Sequence, residues 1–192
     1  MKRGVVEKEG SRITTHDSRL TTHAVSGSAY ERKICTPEEL AARVAGLKRP
    51  LVFTNGVFDI LHRGHVTYLA QARALGASLL LALNSDASAR KLGKGPDRPV
   101  NALEDRLAVA AALESVTLVT WFEEETPLAL ILAVKPDVLV KGGDWKPETI
   151  VGGTEVKGWG GAVHSIPLIP GRSTTSVIER IRSSKKGLNR DS

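Results

Sequence analysis

The chain has 192 residues, of which 41% are hydrophobic and 25% are charged, with a formal net charge of +6. This length fits one globular domain, and no apolar run reaches the ~20 residues of a membrane span. The single cysteine, Cys35, excludes an intramolecular disulfide, so we expect a cytoplasmic protein. Basic residues concentrate at both ends without interleaved aromatic side chains, which argues against a specific nucleic-acid surface.

Residues 1–32 are polar and lack a sustained apolar period, so we expect a mobile N-terminal extension there. One domain is expected over 33–184 and a polar tail over 185–192. Thr36, Pro37 and Glu39 form a capping-box pattern, which predicts that a helix begins beside them.

Apolar runs and helical spacing alternate along the rest of the chain. Strands are predicted at 50–54, 78–84, 116–122, 137–141 and 162–168. Helices are predicted from 64 to just before 76 and at 103–113, 127–134 and 173–182, the last with Val177, Ile178 and Ile181 facing inward, and a polar loop is expected after 84. This alternation predicts a doubly wound, Rossmann-like α/β fold with five mainly parallel strands and ligands at their carboxyl ends.

Two histidines flank a glycine in the turn after the first strand. His62, Gly64 and His65 lie where the free N–H groups and the dipole of a helix favour an anion. The histidines add donors for phosphate oxygens, Gly64 lets a phosphate approach the backbone, and Gly56 allows a sharp turn. Zinc is the alternative ligand, but it usually needs three or four protein ligands and the other histidines lie in a polar tail and a late strand. The pattern therefore favours a phosphate site.

Segment 54–65 resembles the signature of the cytidylyltransferase-like nucleotidyltransferases, whose His-x-Gly-His turn binds a nucleotide triphosphate. Further matching segments follow in the family's order, at 84–88, 95–101, 141–145 and 171–175. Together they cover about residues 33–182. Within this family, the chain resembles the adenylyltransferases that make ADP-heptose and pyrophosphate from ATP and a heptose 1-phosphate for lipopolysaccharide.

The resemblance implies roles for individual residues. His62 and His65 are the expected catalytic residues. The expected nucleotide contacts are Asn55, Gly56, Val57, Phe58, Gly64, Lys141, Gly143, Asp144, Arg172, Ser173, Thr174 and Thr175. The expected acceptor contacts are Asp59, Asn84, Asp86, Lys91, Lys94 and Arg98. Two alternatives stay open: Asp59 could brace the turn, and Ser173 or Thr174 could cap the last helix.

The resemblance also implies partners and cofactors. Mg²⁺ is expected to travel mainly on the ATP phosphates, without dedicated protein ligands. Related enzymes often pair, so a homodimer is expected, and the chain is expected to act without a fused sugar kinase. The alternatives are a glycerol-phosphate cytidylyltransferase or an FAD-forming adenylyltransferase, and, outside enzymes, a nucleic-acid binder or a nucleotide sensor.

Overall fold

The computed structural model describes residues 28–93, 95 and 97–188, with side chains as far as Ser184. Among these residues the strands are β1 (Leu51–Gly56), β2 (Ser78–Asn84), β3 (Leu118–Phe122), β4 (Val138–Gly142) and β5 (Ala162–Ile166). The helices are α1 (Leu40–Ala45), α2 (Arg63–Arg73), α3 (Asp86–Lys91), α4 (Leu103–Ala111), α5 (Leu128–Val134), α6 (Gly153–Gly158) and α7 (Thr174–Leu188). Short 3-10 turns cover Glu31–Lys33 and Pro147–Thr149.

The five strands form one parallel sheet in the order β3-β2-β1-β4-β5, which confirms the predicted fold. The chain moves outward from β1 to β2 and β3, then crosses back over β1 to form β4 and β5. The direction of winding therefore reverses between β1 and β4. In doubly wound sheets such a reversal opens a crevice at the carboxyl ends of the strands, where ligands bind.

Helices cover both faces of the sheet. Val52 of β1 and Leu79, Leu81 and Leu83 of β2 pack with α2 and α4 on one face. The alternate residues, including Phe53 and Leu80, pack with α1, α5 and α6 on the other face. Burial on both sides explains why the central strands are uninterrupted apolar runs.

The predicted strands are confirmed to within two residues at each end, but the helices and loops differ from the prediction at four points, one of them the end of α7, which is Leu188 and not 182. The expected polar loop after β2 begins with α3, and α6 was not predicted. Ile181, predicted to face inward, is 55% exposed because α7 extends beyond the surface that its first turns cover. The predicted mobile extension falls largely on residues 1–27, outside the described residues.

The capping box at the start of α1 forms as predicted. The Thr36 N–H donates to Glu39 Oε2 and the Glu39 N–H donates to Thr36 Oγ1, both over 3.3 Å. Regular helix nevertheless begins only at Leu40, after a turn over residues 37–39. Leu40 and Val44 are buried, so the box fixes the point at which the apolar face of α1 reaches the core.

The segment before α1 lies against the outer edge of β3. Ile34 forms a parallel bridge with Val119, and the Cys35 N–H donates to the Val119 carbonyl over 3.0 Å. The Cys35 side chain is buried, and this burial raises the pKa of its thiol. The segment thus covers backbone groups that an edge strand would otherwise expose.

At the amino ends of the strands, Arg49 joins the starts of β1 and β4. Its Nε donates to Asp137 over 2.8 Å and its Nη2 donates to the Lys135 carbonyl over 2.6 Å. The Leu51 N–H also donates to Asp137. This end of the sheet lies opposite the predicted ligand site.

None of the helices in the described part of the chain is long and apolar enough to cross a bilayer.

Candidate active site

A cleft of about 540 Å³ opens at the carboxyl ends of β1, β2 and β4, where the winding reverses. It brings together residues from all five segments that the sequence singled out. The predicted residues that line it are Asn55, Gly56, Val57, Phe58, His65, Asn84, Arg98, Lys141 and Thr174. We call this space the central cleft.

Much of the central cleft was not predicted from the sequence. The additional lining residues are Tyr68, Leu92, Glu125, Thr126, Pro127, Gly142, Trp145, Thr149, Ile150, Val151 and Leu168. Most of them lie in loops after β3, β4 and β5, or in the 3-10 turn after β4. Trp145 is 49% exposed and its Nε1 donates to the Gly142 carbonyl over 3.1 Å, which holds the indole over the end of β4.

The two histidines stack on one another at the start of α2. Their ring centroids lie 3.9 Å apart with an interplanar angle of 25°. His62 is the N-cap residue of α2, and its Nδ1 accepts the Gly64 N–H over 3.1 Å. On its other side, the His65 ring lies 5.1 Å from the Phe58 ring. His65 therefore lines the cleft between an aromatic ring and a second imidazole that the helix terminus holds.

Gly64 leaves room for this arrangement. A Cβ on Gly64 would lie 2.9 Å from His62 Nδ1 and Cε1, and 3.4 Å from Arg172 Cβ. The sequence suggested that glycine admits a phosphate to the backbone. The structure shows that the missing Cβ makes room for the His62 ring and the chain at Arg172, while the approach of phosphate stays a prediction.

The environment of His62 favours a neutral imidazole. Burial lowers its pKa below the ordinary value of 6.5, and the nearby Arg172 guanidinium lowers it further. Because Nδ1 accepts the Gly64 N–H, the proton of the neutral ring resides on Nε2. His62 is therefore a neutral N–H donor near pH 7, beside the permanent positive charge of Arg172.

The second predicted phosphate-binding segment lies at the start of α7. Ser173 caps this helix, because its Oγ accepts the Ser176 N–H over 3.1 Å while the Ser173 N–H donates to Ser176 Oγ over 3.2 Å. Thr174 is nearly buried, lines the cleft and donates its hydroxyl to the Ile60 carbonyl over 3.4 Å. Arg172 and Thr175 are exposed. The capping role therefore belongs to Ser173, and the cleft position belongs to Thr174.

Asp59 braces the turn after β1. Its buried carboxylate accepts Arg98 Nε over 2.8 Å and the Val100 and Asn101 N–H groups over 2.9 Å. The Asn101 side chain donates back to the Asp59 carbonyl over 2.7 Å. Of the two roles open for Asp59, bracing is the one these bonds display, and acceptor contact stays a prediction. The same bonds hold Arg98 at the cleft wall.

A buried arginine that was not among the predicted site residues lies behind the cleft floor. Arg106 of α4 is 2% exposed, and its Nη2 donates to Asp86 Oδ1 over 2.6 Å. Asp86, predicted to contact the acceptor, thus has one carboxylate oxygen engaged by this guanidinium. A charged residue among Leu103, Leu107 and Ala110, which face the core, was the available signal.

The backbone after β1 is strained. Phe58 has a positive φ of 47°, which is uncommon for a bulky residue and often marks a functional site. A Cβ on Gly56 would lie 2.8 Å from the Phe58 ring, so the glycine allows this ring to fold back over the strand end. The ring in turn packs against His65 and Tyr68. The strained conformation of Phe58 therefore places its ring against His65.

Tyr68 supports the cleft from α2. Its hydroxyl shares a 2.5 Å hydrogen bond with Thr54 Oγ1 and lies 3.3 Å from the Val140 carbonyl, which joins α2 to β1 and β4. Burial raises the pKa of Tyr68 to about 12, although the bond to Thr54 acts in the opposite direction. Beside it, Lys141 Nζ donates to Asn55 Oδ1 over 3.3 Å, which links the same two strand ends.

Three further predicted residues do not line the cleft. Gly143 follows β4 with a φ of 118°, Asp144 is exposed beside it, and Lys91 is exposed at the end of α3. Lys94 lies outside the described residues. No group of three or more His, Cys, Asp or Glu side chains among the described residues could hold a metal ion.

Comparison with known proteins identifies the family of the chain. Residues 53–185 match the family model described as cytidylyltransferase-like. The chain is 54% identical over 160 residues to a D-beta-D-heptose 1-phosphate adenylyltransferase of Bordetella bronchiseptica, covering 82% of this chain and 99% of that one. It is 50% identical over 159 residues to the bifunctional protein HldE of Methylobacillus flagellatus, covering 81% of this chain but only 32% of that protein.

A solved structure is also similar. The lipopolysaccharide core biosynthesis protein of Thermoplasma volcanium has a TM-score of 0.51 and 30% identity, over 62% of this chain and 95% of that one. The family match, the parallel doubly wound sheet and the stacked histidines together identify a nucleotidyltransferase of the His-x-Gly-His type. The chain belongs to the cytidylyltransferase-like family.

Proposed function

We propose that this protein transfers AMP from ATP to a heptose 1-phosphate, giving ADP-heptose and pyrophosphate for lipopolysaccharide core biosynthesis. The 54% identity to the Bordetella adenylyltransferase over 99% of that chain carries this proposal. The intact pair of stacked histidines beside the central cleft supports an active transferase.

In the proposed reaction, a phosphate oxygen of the sugar phosphate attacks the α-phosphorus of ATP. A new phosphorus–oxygen bond forms, and the bond to the bridging oxygen breaks, so that pyrophosphate leaves with the electron pair. No covalent enzyme intermediate is needed, because the acceptor already carries an anionic oxygen. The protein has to align two polyanions and stabilise the charge that develops between them.

The residues divide this work by their positions. His65 in the cleft, and His62 stacked on it, donate hydrogen bonds to phosphate oxygens at the N-terminus of α2. Arg172 supplies a positive charge from the start of α7, where Thr174 lines the cleft. Arg98, held by Asp59, provides a further positive charge at the cleft wall for an acceptor or triphosphate oxygen.

Mg²⁺ is proposed to arrive on the triphosphate. The described residues offer no metal-ligand cluster, while phosphate oxygens and water are the ligands that Mg²⁺ prefers. The ion would neutralise charge on the phosphates. A cytoplasmic location, where ATP is available, and pairing into a homodimer are further parts of the proposal, the second to be tested by light scattering.

The decisive experiment measures pyrophosphate release with Mg²⁺ while ATP and CTP are crossed with heptose 1-phosphates and glycerol 3-phosphate. We expect turnover with ATP and a heptose 1-phosphate, and its loss in His65→Ala. His164→Ala, which alters an exposed histidine of β5, is the matched control and keeps full activity. Turnover only with CTP or glycerol 3-phosphate would overturn the substrate assignment, and no turnover with any pair would overturn the function.

A further inference from the structure

The guanidinium of Arg106 joins four segments behind the central cleft. Its Nη1 donates to the Val57 carbonyl over 2.8 Å and to the Asn84 carbonyl over 2.9 Å. Its Nε donates to the Asn101 carbonyl over 3.1 Å, and its Nη2 donates to Asp86. These segments are the turn after β1, the end of β2, the stretch before α4 and the start of α3.

Two of these connections lead directly to the cleft, and a third leads there through Arg98. Val57 and Asn84 both line it. Asn101 belongs to the stretch that Asp59 holds from the other side, and this stretch carries Arg98 to the cleft wall. The carbonyl of Asn101 is thus bound by Arg106 while its N–H is bound by Asp59.

An arginine is a costly way to fill this space. Removing a guanidinium from water carries a desolvation penalty, and apolar side chains of similar volume can replace buried ion pairs without loss of stability. The Arg106 side chain has no exposed area, whereas its partner Asp86 is 31% exposed. What an arginine adds is a planar fork that donates in several fixed directions, which neither lysine nor an apolar residue reproduces.

We propose that Arg106 is a positioning residue for the transfer reaction. It sets the spacing between the carboxyl ends of β1 and β2, and through Asn101 it sets the place of Arg98. It does not contact substrate itself. Substitution would therefore let Phe58, His65 and Arg98 drift relative to the bound phosphates while the sheet and its core stay intact.

The test compares Arg106→Lys, Arg106→Gln and Arg106→Ala with the wild-type chain in the ATP and heptose 1-phosphate assay, so its activity arm rests on the proposed function. We expect kcat to fall roughly 10²-fold, as for a misalignment of about 1 Å, with KM for ATP changed less than kcat. Guanidinium ion added to Arg106→Ala should restore part of kcat, and lysine should not substitute for arginine.

Arg49→Gln is the matched control. Arg49 also donates to a carboxylate and a carbonyl, but it does so at the opposite end of the sheet. This variant should lower the melting temperature without changing kcat. If the Arg106 variants fold and keep kcat within threefold of wild type, or if none of the three gives a cooperatively folded protein, the residue is structural and the inference is wrong.

A second measurement does not depend on turnover. Hydrogen exchange followed by mass spectrometry should show faster exchange in Arg106→Gln at residues 56–59 and 98–102, with no change in α5 and β4. Faster exchange throughout the chain, or no local change, would overturn the inference. If the wild-type chain itself releases no pyrophosphate, the proposed function fails and the exchange data alone decide the role of Arg106.

Discussion

His62 and His65 stack with ring centroids 3.9 Å apart, so each imidazole fixes the position of the other at the N-terminus of α2. Removing either ring should lower kcat by about 10² to 10³-fold, the loss typical of one preorganised donor. Because the rings act as one unit, the double variant should lose far less than the product of the two single losses. Steady-state kinetics of His62→Ala, His65→Ala and the double variant check this, and fully multiplicative losses would show that the rings act independently.

Gly64→Ala should disturb the same unit without removing a functional group. The new methyl carbon would lie 2.9 Å from the His62 ring, which must move or tilt. We expect kcat to fall about 10 to 10²-fold while the protein stays folded. Gly158→Ala in α6 is the matched control, because no atom lies within 4 Å of its added carbon. That control should keep full activity and gain up to ~1 kcal/mol of stability.

The loss of folding stability at acid pH should report the protonation of His62. Its pKa lies below 6.5 in the folded chain, so the unfolded chain binds more protons as the pH falls through this window. The free energy of unfolding should therefore fall as the pH drops from 6.5 through the lower pKa of the folded chain. Protonation also removes the acceptor of the bond from the Gly64 N–H to Nδ1, and both contributions are retained at pH 7.

Arg172→Met tests the electrostatic part of this shift. Removing the guanidinium should raise the pKa of His62 without restoring it to 6.5, because burial is the larger cause. NMR titration of the imidazole measures the pKa of His62 directly in the wild-type chain and in Arg172→Met. An unchanged pKa in Arg172→Met would show that the guanidinium does not act on the ring.

Tyr68→Phe should lower the stability of the fold without lowering kcat. The substitution leaves the buried hydroxyl of Thr54 without the partner described above, a loss of about 1–3 kcal/mol in the free energy of unfolding. Urea denaturation measures this loss, and the double variant Tyr68→Phe, Thr54→Val should recover part of it. A double variant less stable than Tyr68→Phe alone would contradict the assignment.

The same tyrosine predicts an alkaline transition. Its pKa is raised from 10.0 to about 12, so the unfolded chain releases the proton first as the pH rises. Stability should therefore fall between these two values. Ultraviolet difference titration of wild type and Tyr68→Phe isolates this ionisation. A normal titration near pH 10 for every tyrosine in the wild type would refute it.

The sequence predicted the strands well because burial on both faces requires uninterrupted apolar runs, as in residues 78–84. It missed α3 and α6, since helices of six residues are too short for an apolar repeat to stand out. Ile181 was predicted wrongly for a related reason. Amphipathic spacing identifies a helix face but does not reveal where the body of the protein beneath it ends.

The sequence predicted those parts of the site in which a motif directly follows a strand. His65, Asn84 and Lys141 come together because parallel strands place their carboxyl ends at one edge of the sheet. The walls around Pro127 and Ile150 could not be predicted, because no local pattern states which loops fold over the sheet. Arg106 escaped notice because a charge in a helix is ordinarily solvated, and only its tertiary partners reveal that it is buried.

The Ile34–Cys35 segment also has a consequence for self-association. Because this segment bridges the outer edge of β3 at Val119, a further strand could pair along β3 only by displacing it, whereas β5 carries no such bridge among the described residues. If two copies paired through β5, each would bind the unpaired backbone groups at the β5 edge of the other. Such an encounter would terminate as a closed pair instead of propagating as a fibre, so the short N-terminal segment limits how far sheet-to-sheet growth can proceed.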